Sequence, residues 1–211
     1  MRVAIIDCGA GNLHSVRKAF AHCLPAGAEL AVVTDAHALE HATHIVLPGV
    51  GAFADCMAGL NALPGMRAAL EQRVLRDKVP FFGICVGMQM LFERGHEHGT
   101  TEGLGWFTGE VHRIVPKDAT LPIPHMGWNR LKLRIEHPVL AHMRSGDFVY
   151  FVHSYAAMGA QRDAVLASVD YGGEIVALIG RENIVASQFH PEKSQRAGLQ
   201  MITNFLTMKG A

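Results

Sequence analysis

The stretch Pro80-Phe-Phe-Gly-Ile-Cys-Val-Gly-Met-Gln-Met-Leu91 carries the strongest structural signal in the chain. An apolar run reaches Gly83-Ile-Cys-Val-Gly87, and residues of helical character follow at once. This order has the form G-x-Nuc-x-G, a sharp strand-to-helix turn that presents its central residue at the end of a buried strand. Glycines on both sides allow the close backbone contacts of such a turn. The stretch predicts an α/β fold with Cys85 at the carboxyl end of a parallel strand.

The sequence on either side supports the same fold class. In the first half, short apolar runs alternate with helix-length segments, a pattern typical of a parallel sheet covered on both faces. Beyond residue 95, strand-like segments dominate. We predict strands over 3–6, 30–33, 44–47, 80–84, 110–115, 129–135, 148–152, 164–169, 175–179 and 184–187, and helices over 12–24, 35–40, 64–77 and 195–208. The expected fold is a doubly wound, mixed α/β sheet with additional antiparallel strands, in a single domain over 1–211.

The overall composition excludes several functional classes. The chain of 211 residues has 19 basic and 19 acidic side chains, so its formal charge gives no long-range attraction for nucleic acid or anionic lipid. Its longest apolar runs are far shorter than the roughly 18 residues of a membrane span. The four cysteines are scattered without a C-x-x-C pair, which is typical of reduced intracellular thiols. We therefore expect a cytoplasmic protein.

Cys85 is a candidate nucleophile because of its place in the turn. A thiol at the start of a helix lies near unpaired backbone N–H groups, which stabilise the thiolate over the thiol. The N–H of Val86 faces the position where a tetrahedral oxyanion would form. The alternative is that Cys85 is only a small buried hydrophobic residue, as many cysteines are.

The segment Ala186-Ser-Gln-Phe-His-Pro-Glu-Lys-Ser194 supplies a candidate base. A strand leads to His190, and Pro191 ends it. In an extended dipeptide, Glu192 would lie on the same side as His190 and hold the imidazole in one tautomer. The other ring nitrogen could then accept the thiol proton. The alternative is a strand-end histidine beside a solvent-exposed glutamate.

The turn Leu47-Pro-Gly-Val-Gly-Ala-Phe53 ends another strand of the same half. Ligands of such sheets bind beyond the carboxyl ends of the strands, where this turn and Cys85 would both lie. Its glycines let backbone N–H groups approach a substrate and let the peptide at Val50 reorient. The alternative is an ordinary connecting loop.

Two further groups of histidines have spacings that would allow them to bind a metal ion. One consists of His37, His41 and His44, and in the other His96 and His98 flank Glu97. No acidic or cysteine ligand completes either group at a recognised spacing. We interpret both as surface polar clusters and predict no metal site.

Together these motifs resemble those of the class I glutamine amidotransferases, whose glutaminase domain carries a Cys-His-Glu triad. Cys85 and Gln89 match the G-I-C-x-G-x-Q pattern of that family, and His190 and Glu192 match its H-P-E pattern. Within the class, the chain looks like the glutaminase subunits of imidazole glycerol phosphate synthase. The motifs that carry this closer resemblance are Asp7-Cys-Gly-Ala-Gly-Asn12, Pro48-Gly-Val-Gly-Ala-Phe53, Pro124-His-Met-Gly-Trp-Asn129, Tyr150-Phe-Val-His-Ser-Tyr155 and Gln188-Phe-His-Pro-Glu-Lys193.

The chain departs from the family pattern at two positions. Cys8 stands where the family usually has tyrosine, which affects the expected packing beneath the first turn. Val86 replaces a more usual leucine, and its backbone N–H remains available.

The resemblance implies a flavodoxin-like fold and the hydrolysis of glutamine to glutamate and ammonia without a cofactor. Backbone groups of Val50, Gly51 and Val86 would bind the oxyanion. The expected substrate-binding residues are Gln89, His153, Ser154 and Tyr155. Ammonia would pass to a synthase (cyclase) subunit of β/α-barrel type in a heterodimer, with contacts through Trp128, Asn129, Tyr150 and Lys193.

Three alternatives remain open at this level. Trp128 could be a core aromatic residue, since tryptophan is highly buried on average as well as enriched at interfaces. The chain could be an amidotransferase subunit of another biosynthetic synthase. It could also be a non-enzymatic module with a reactive cysteine.

Overall fold

The computed structural model describes residues 1–9 and 12–210. Within these ranges the helices are α1 Leu13–Cys23, α2 Phe53–Ala62, α3 Met66–Leu70, α4 Val86–Gln89 and α5 Gln195–Thr207. The strands are β1 Arg2–Ile6, β2 Glu29–Val33, β3 His44–Gly49, β4 Phe81–Cys85, β5 Arg94–Gly95, β6 Thr101–Glu102, β7 Glu110–Arg113, β8 His125–Arg130, β9 Lys132–Leu133, β10 Phe148–His153, β11 Tyr155–Met158, β12 Val165–Asp170, β13 Glu174–Arg181 and β14 Ile184–Ser187.

The main sheet is mixed, as the sequence predicts. Its eight strands follow the order β2-β1-β3-β4-β14-β13-β12-β9. The pairs from β2 to β14 are parallel, and those from β14 to β9 are antiparallel. The parallel half has the order of a flavodoxin-like sheet, whose ligands bind near the point where the strand order reverses.

The carboxyl ends of β3 and β4 meet at one edge of this sheet. Gly49 lies in register with Cys85, and β14 runs parallel to β4 on its other side. The chain that leaves β14 reaches His190 within three residues. The topology therefore brings together three segments that are far apart in sequence.

The two neighbouring phenylalanines of β4 show how both faces of the sheet are buried. Phe82 packs against Phe20 of α1 and Phe205 of α5, with ring centroids 6.3 and 5.2 Å away. Phe81 points to the opposite face, where its ring centroid lies 5.2 Å from that of Trp106. This alternation explains why β4 reads as a continuous apolar run.

Two smaller sheets are added to this core. One has the order β11-β7-β5-β6, and the other pairs β8 with β10. The antiparallel additions expected beyond residue 95 are therefore present. No helix within the described ranges is long and apolar enough to cross a membrane.

Several predicted elements differ in type or extent. The segment 35–40 forms a 3-10 turn over Ala36–Leu39, and 64–77 forms α3 followed by a π-helical segment over Glu71–Arg76. The predicted strand 129–135 is divided between β8 and β9.

Helix α2 is absent from the prediction because its start has no local signal. Its N-cap residue Ala52 has no capping side chain. Instead the Phe53 N–H donates to Oε2 of Glu97 at 3.0 Å, across 44 residues of sequence. A cap supplied from such a distance is invisible to a local pattern.

Candidate active site

Cys85 lies at the junction between β4 and α4 in a conformation that side chains rarely adopt. Its φ is 56° and its ψ is −111°. Such strain persists only where the surrounding structure holds it. Here a Cβ on Gly87 would lie 1.9 Å from the Leu47 carbonyl oxygen, and one on Gly83 would lie 2.8 Å from that of Gly87. The glycines on both sides of the cysteine are thus required by close backbone approach.

The imidazole of His190 is hydrogen-bonded to the side chain of Cys85. Helix α4 is only four residues long, so it provides a smaller dipole than the sequence interpretation supposes. Burial lowers the pKa of His190, but hydrogen bonds to Cys85 and Glu192 outweigh burial and raise that pKa to about 10. The His190 imidazole is therefore protonated at neutral pH.

Glu192 orients His190 through a short 3-10 turn. The predicted extended dipeptide is wrong, because Pro191–Lys193 forms this turn with His190 at its N-cap. The turn still joins the two side chains, with His190 Nδ1 2.7 Å from Glu192 Oε1. The Glu192 side chain is 0% exposed, which excludes the alternative of a solvent-exposed glutamate. An Nδ1–H that donates to the carboxylate leaves Nε2 for the thiol.

Asn12 supports the same carboxylate from the amino-terminal segment. Its Nδ2 donates to Glu192 Oε1 at 2.7 Å. Asn12 belongs to the predicted motif Asp7–Asn12, in which residues 10 and 11 lie outside the described ranges. The motif indicates no role for Asn12 by itself, because its contact with Glu192 spans 180 residues of sequence and leaves no local pattern.

Gln188 is a second residue whose position sequence reasoning does not reveal. Its Nε2 lies 3.8 Å from the Cys85 sulfur, and its Oε1 accepts a hydrogen bond of 3.0 Å from Gln89. Gln89 Nε2 also donates to the Tyr155 carbonyl at 3.0 Å. Both N–H groups of Gln89 are therefore used within the protein, so its carboxamide oxygen is the atom that a substrate could contact.

The turn after β3 lies beside the nucleophile. Gly51 has φ +94°, and a Cβ placed there would meet nothing within 4 Å. The Cys56 thiol of α2 lies 3.4 Å from the Val50 carbonyl oxygen, to which it can donate. Because C=O and N–H of a trans peptide point in opposite directions, this contact turns the Gly51 N–H away from α2. Burial raises the pKa of Cys56 to about 12, so this thiol stays protonated.

A cavity of about 750 Å³ opens above these groups. Its lining includes Cys85 and His190, the turn residues Val50 and Gly51, and Glu97. It also includes the predicted substrate-binding residues Gln89, His153, Ser154 and Tyr155. A volume of this size is typical of small-molecule sites.

His153 occupies a more internal position than its prediction as a substrate contact suggests. Its Nδ1 donates to the Tyr155 carbonyl at 2.8 Å, which leaves Nε2 to accept from His125 Nδ1 at 3.0 Å. Burial lowers the pKa of His153 to about 3 and that of His125 to about 4. Both rings are neutral at physiological pH and hold the start of β11.

The predicted partner residues lie on the β8–β10 ribbon and beside it. Trp128 is 46% exposed, so it is not a core aromatic residue. Its ring meets Tyr150 edge-on at 5.9 Å, and Lys193 lies 5.8 Å above the Tyr150 ring. Asn129 instead donates to the Asp170 carbonyl and contacts His125 Nε2, so its amide is engaged inside the chain.

Comparison with known proteins agrees with this geometry. Residues 4–208 match the family described as Glutamine amidotransferase class-I. Imidazole glycerol phosphate synthase subunit HisH of Brucella suis biovar 1 (strain 1330) is 52% identical, covering 99% of this chain and 100% of that protein. The protein of the same name from Rhodospirillum rubrum is 51% identical over 98% of both chains.

Two solved structures share the fold. The crystal structure of a glutamine amidotransferase has a TM-score of 0.73 at 19% identity, covering 97% of this chain and 96% of that one. A glutamine amidotransferase from Thermotoga maritima has a TM-score of 0.64 at 17% identity, with 98% and 82% covered. The chain belongs to the class-I glutamine amidotransferase family.

Proposed function

We propose that this chain is the glutaminase subunit of an imidazole glycerol phosphate synthase in histidine biosynthesis. It hydrolyses L-glutamine to glutamate and delivers the ammonia to a synthase subunit. The buried arrangement of Cys85, His190 and Glu192 at the carboxyl edge of the sheet is the observation that carries the chemistry. Similarity over nearly the whole chain to subunits of that synthase supports the pathway.

The first half of the reaction forms a thioester. The Cys85 thiolate attacks the side-chain carbonyl carbon of glutamine, and the carbonyl oxygen becomes an oxyanion. As this intermediate collapses, the carbon–nitrogen bond breaks and the His190 imidazolium gives its proton to the departing nitrogen. Ammonia leaves, and an acyl group remains on the Cys85 sulfur.

The second half hydrolyses the thioester. Neutral His190 takes a proton from water as the water oxygen attacks the acyl carbon. Collapse of the second oxyanion breaks the carbon–sulfur bond, which releases glutamate and restores the thiolate–imidazolium pair. Glu192 holds the imidazole through its contact with Nδ1 in both halves.

Backbone N–H groups of Val86 and of the Val50–Gly51 turn would stabilise both oxyanions. Val86 follows the nucleophile directly, as the corresponding donor does in other strand-to-helix nucleophile turns. The contact between Cys56 and the Val50 carbonyl favours a Gly51 N–H directed away from α2. Each such donor contributes about 10²–10³-fold in rate.

The cavity offers complementary groups for the amino-acid end of glutamine. Glu97 lines it as a carboxylate, which suits the substrate ammonium group. Ser154 and Tyr155 lie at the same cavity, where a hydroxyl or a backbone N–H could bind the α-carboxylate. Gln89 contributes its carboxamide oxygen and fixes Gln188 near the thiol.

The synthase partner would bind over the exposed ribbon of β8 and β10. Met126, Trp128 and Phe148 are 60%, 46% and 46% exposed, and Lys193 lies at the rim of the catalytic cavity. Exposed aromatic groups beside a charged rim are typical of interface centres. We assign the partner as a β/α-barrel cyclase subunit, and the complex as a cytoplasmic heterodimer in which this chain forms one domain over 1–211.

The decisive experiment is the Cys85→Ala variant assayed for glutamate release. We expect a loss of at least about 10⁴-fold, because the nucleophile is removed. Cys23→Ala is the matched control, since Cys23 lies on α1 and contacts the Leu199 carbonyl. Activity retained by Cys85→Ala would refute the mechanism.

The complex provides a second test. If the Pro48–Gly51 turn reaches its productive form only with the partner, glutamine hydrolysis accelerates on addition of the synthase subunit and its ligand. Equal rates with and without the partner would reject this control of the turn. Absence of any complex with the cyclase subunit would favour service to a different synthase.

A further inference from the structure

Outside the catalytic cavity, three side chains of the small sheet converge on one point. Nε2 of His96 lies 2.8 Å from Oε2 of Glu110, and Nε2 of His112 lies 3.3 Å from the same oxygen. One potential ligand atom from each residue lies within 4.8 Å of the others. None of the three residues lines the catalytic cavity.

The backbone of the small sheet fixes this convergence. Glu110 and His112 are two residues apart on β7, so their side chains leave the same face. The His96 N–H donates to the Val111 carbonyl at 2.9 Å, which sets His96 beside both. The two imidazole rings are stacked with centroids 4.4 Å apart and an interplanar angle of 15°.

The surrounding contacts leave the converging atoms available. Arg94 Nη1 contacts the other carboxylate oxygen, Oε1, and Arg94 Nε is also paired with Glu102. The hydroxyl of Thr100 lies 3.2 Å from Nδ1 of His96. In metal sites, the histidine nitrogen that does not bind the metal is usually held by a hydrogen bond, and Thr100 offers such a bond to Nδ1 of His96.

We propose that His96, Glu110 and His112 form a binding site for a divalent transition-metal ion of the zinc type. Two imidazole nitrogens and one carboxylate oxygen are the donors that such ions prefer. Tetrahedral bonds of about 2.0 Å put ligand atoms about 3.3 Å apart. The two separations from Glu110 Oε2, 2.8 and 3.3 Å, lie within about 0.5 Å of this spacing.

Metal binding would replace the two contacts to Glu110 by coordination bonds. Each Nε2 would bind through its lone pair, and the His96 proton would reside on Nδ1, where it can donate to Thr100 Oγ1. The half-exposed side chains, 29%, 33% and 42% accessible, leave a fourth position to water.

The sequence pattern does not reveal this site because its ligands come from two segments. His96 and His98 flank Glu97 in the sequence, but Glu97 caps α2 instead. The acidic ligand is Glu110, which strand pairing brings beside His96. The proposed ligand His96 is therefore the sequence neighbour of Glu97, a residue that lines the catalytic cavity.

The test is a Zn²⁺ titration of the untagged, metal-free chain against a chromophoric chelator. The Cys85→Ala background is used, so that the catalytic thiol cannot bind the ion. We expect one Zn²⁺ per chain, binding at least about tenfold weaker in Glu110→Gln and in His112→Gln, as loss of one ligand of three predicts. The matched control is His37→Gln, because His37 also pairs with a carboxylate, that of Glu40, but as a single imidazole.

A spectroscopic measurement keeps the test independent of variant folding. Co²⁺ bound to the parent chain should give the visible absorption of a tetrahedral nitrogen–oxygen site, and Zn²⁺ should displace it. Equal affinity in the parent, Glu110→Gln and His112→Gln chains would overturn the proposal, as would loss of binding in His37→Gln. Octahedral absorption by Co²⁺ would also overturn it.

Discussion

Two turns at the same edge of the sheet are built in opposite ways. In the nucleophile turn, a Cβ on Gly87 would lie 1.9 Å from the Leu47 carbonyl oxygen, so backbone packing locks the loop. In the neighbouring turn, Gly51 has φ +94° and a Cβ placed there would meet nothing within 4 Å. The side-chain contact at this peptide comes from the Cys56 thiol, which can donate to the Val50 carbonyl. The nucleophile is therefore held rigidly, whereas the adjacent peptide has room to rotate. Such a pair suits an enzyme whose nucleophile is fixed while its oxyanion donor responds to a partner.

The largest effect on stability should come from filling the locked turn. Gly87→Ala forces a methyl group into backbone atoms, and we expect the free energy of unfolding to fall by about 3 kcal/mol. Gly51→Ala, the matched change in the open turn, adds only strain at positive φ and should cost about 1 kcal/mol. Chemical denaturation of both variants measures the difference. Equal losses would remove the distinction between the turns.

Activity should separate the two variants in another way. Gly51→Ala is expected to lower kcat about tenfold while KM changes little, because the affected N–H is the oxyanion donor that we propose. Gly146→Ala is the control, since Gly146 has φ +101° with equally open surroundings but lies outside the catalytic cavity. Loss of activity in the control as well would point to general destabilisation.

Removing the charge that orients the base tests the rigidity of the triad. Glu192→Gln keeps the shape of the side chain but not its charge, and we expect kcat to fall about 10³-fold or more. Its hydrogen bond raises the pKa of His190, so this variant should shift the titration of the imidazolium to lower pH. A pH–rate profile measures both effects. An unchanged profile would show that Glu192 does not act through His190.

The smallest effect is expected at the contact that holds the open turn. Cys56→Ala removes the thiol that faces the Val50 carbonyl, a weak interaction worth about 0.5 kcal/mol. We expect a change of about twofold in kcat, with Cys56→Ser closer to the parent because its hydroxyl still donates. Stopped glutaminase assays with the partner present measure it. A loss above a hundredfold would mean that Cys56 takes part in the chemistry itself.

Local motifs indicated where Cys85, His190 and Glu192 lie better than they indicated the contacts that support these residues. Cys85 could be found because the glycines and the strand-to-helix pattern act over a few residues. His190 and Glu192 could be found as a pair, although their turn was misjudged because Pro191 both ends a strand and begins a 3-10 turn. Asn12, Gln188 and Glu97 had no local signal, since each acts on an atom at least 44 residues away. Long-range polar contacts depend on how the elements pack in the folded chain, and the local spacing of apolar residues carries no information about that packing.

The neutral imidazoles of His125 and His153 have a consequence for acid tolerance. Their pKa values are lowered from 6.5 to about 4 and about 3, so the unfolded chain binds protons more readily than the folded one as pH falls below about 6.5. His190 has the opposite sign, because its pKa of about 10 makes folding less favourable as pH rises from about 6.5 through 10. The stability contributed by these three histidines therefore has its maximum near pH 6.5. Acid should therefore lower the stability through His125 and His153, and alkali through His190.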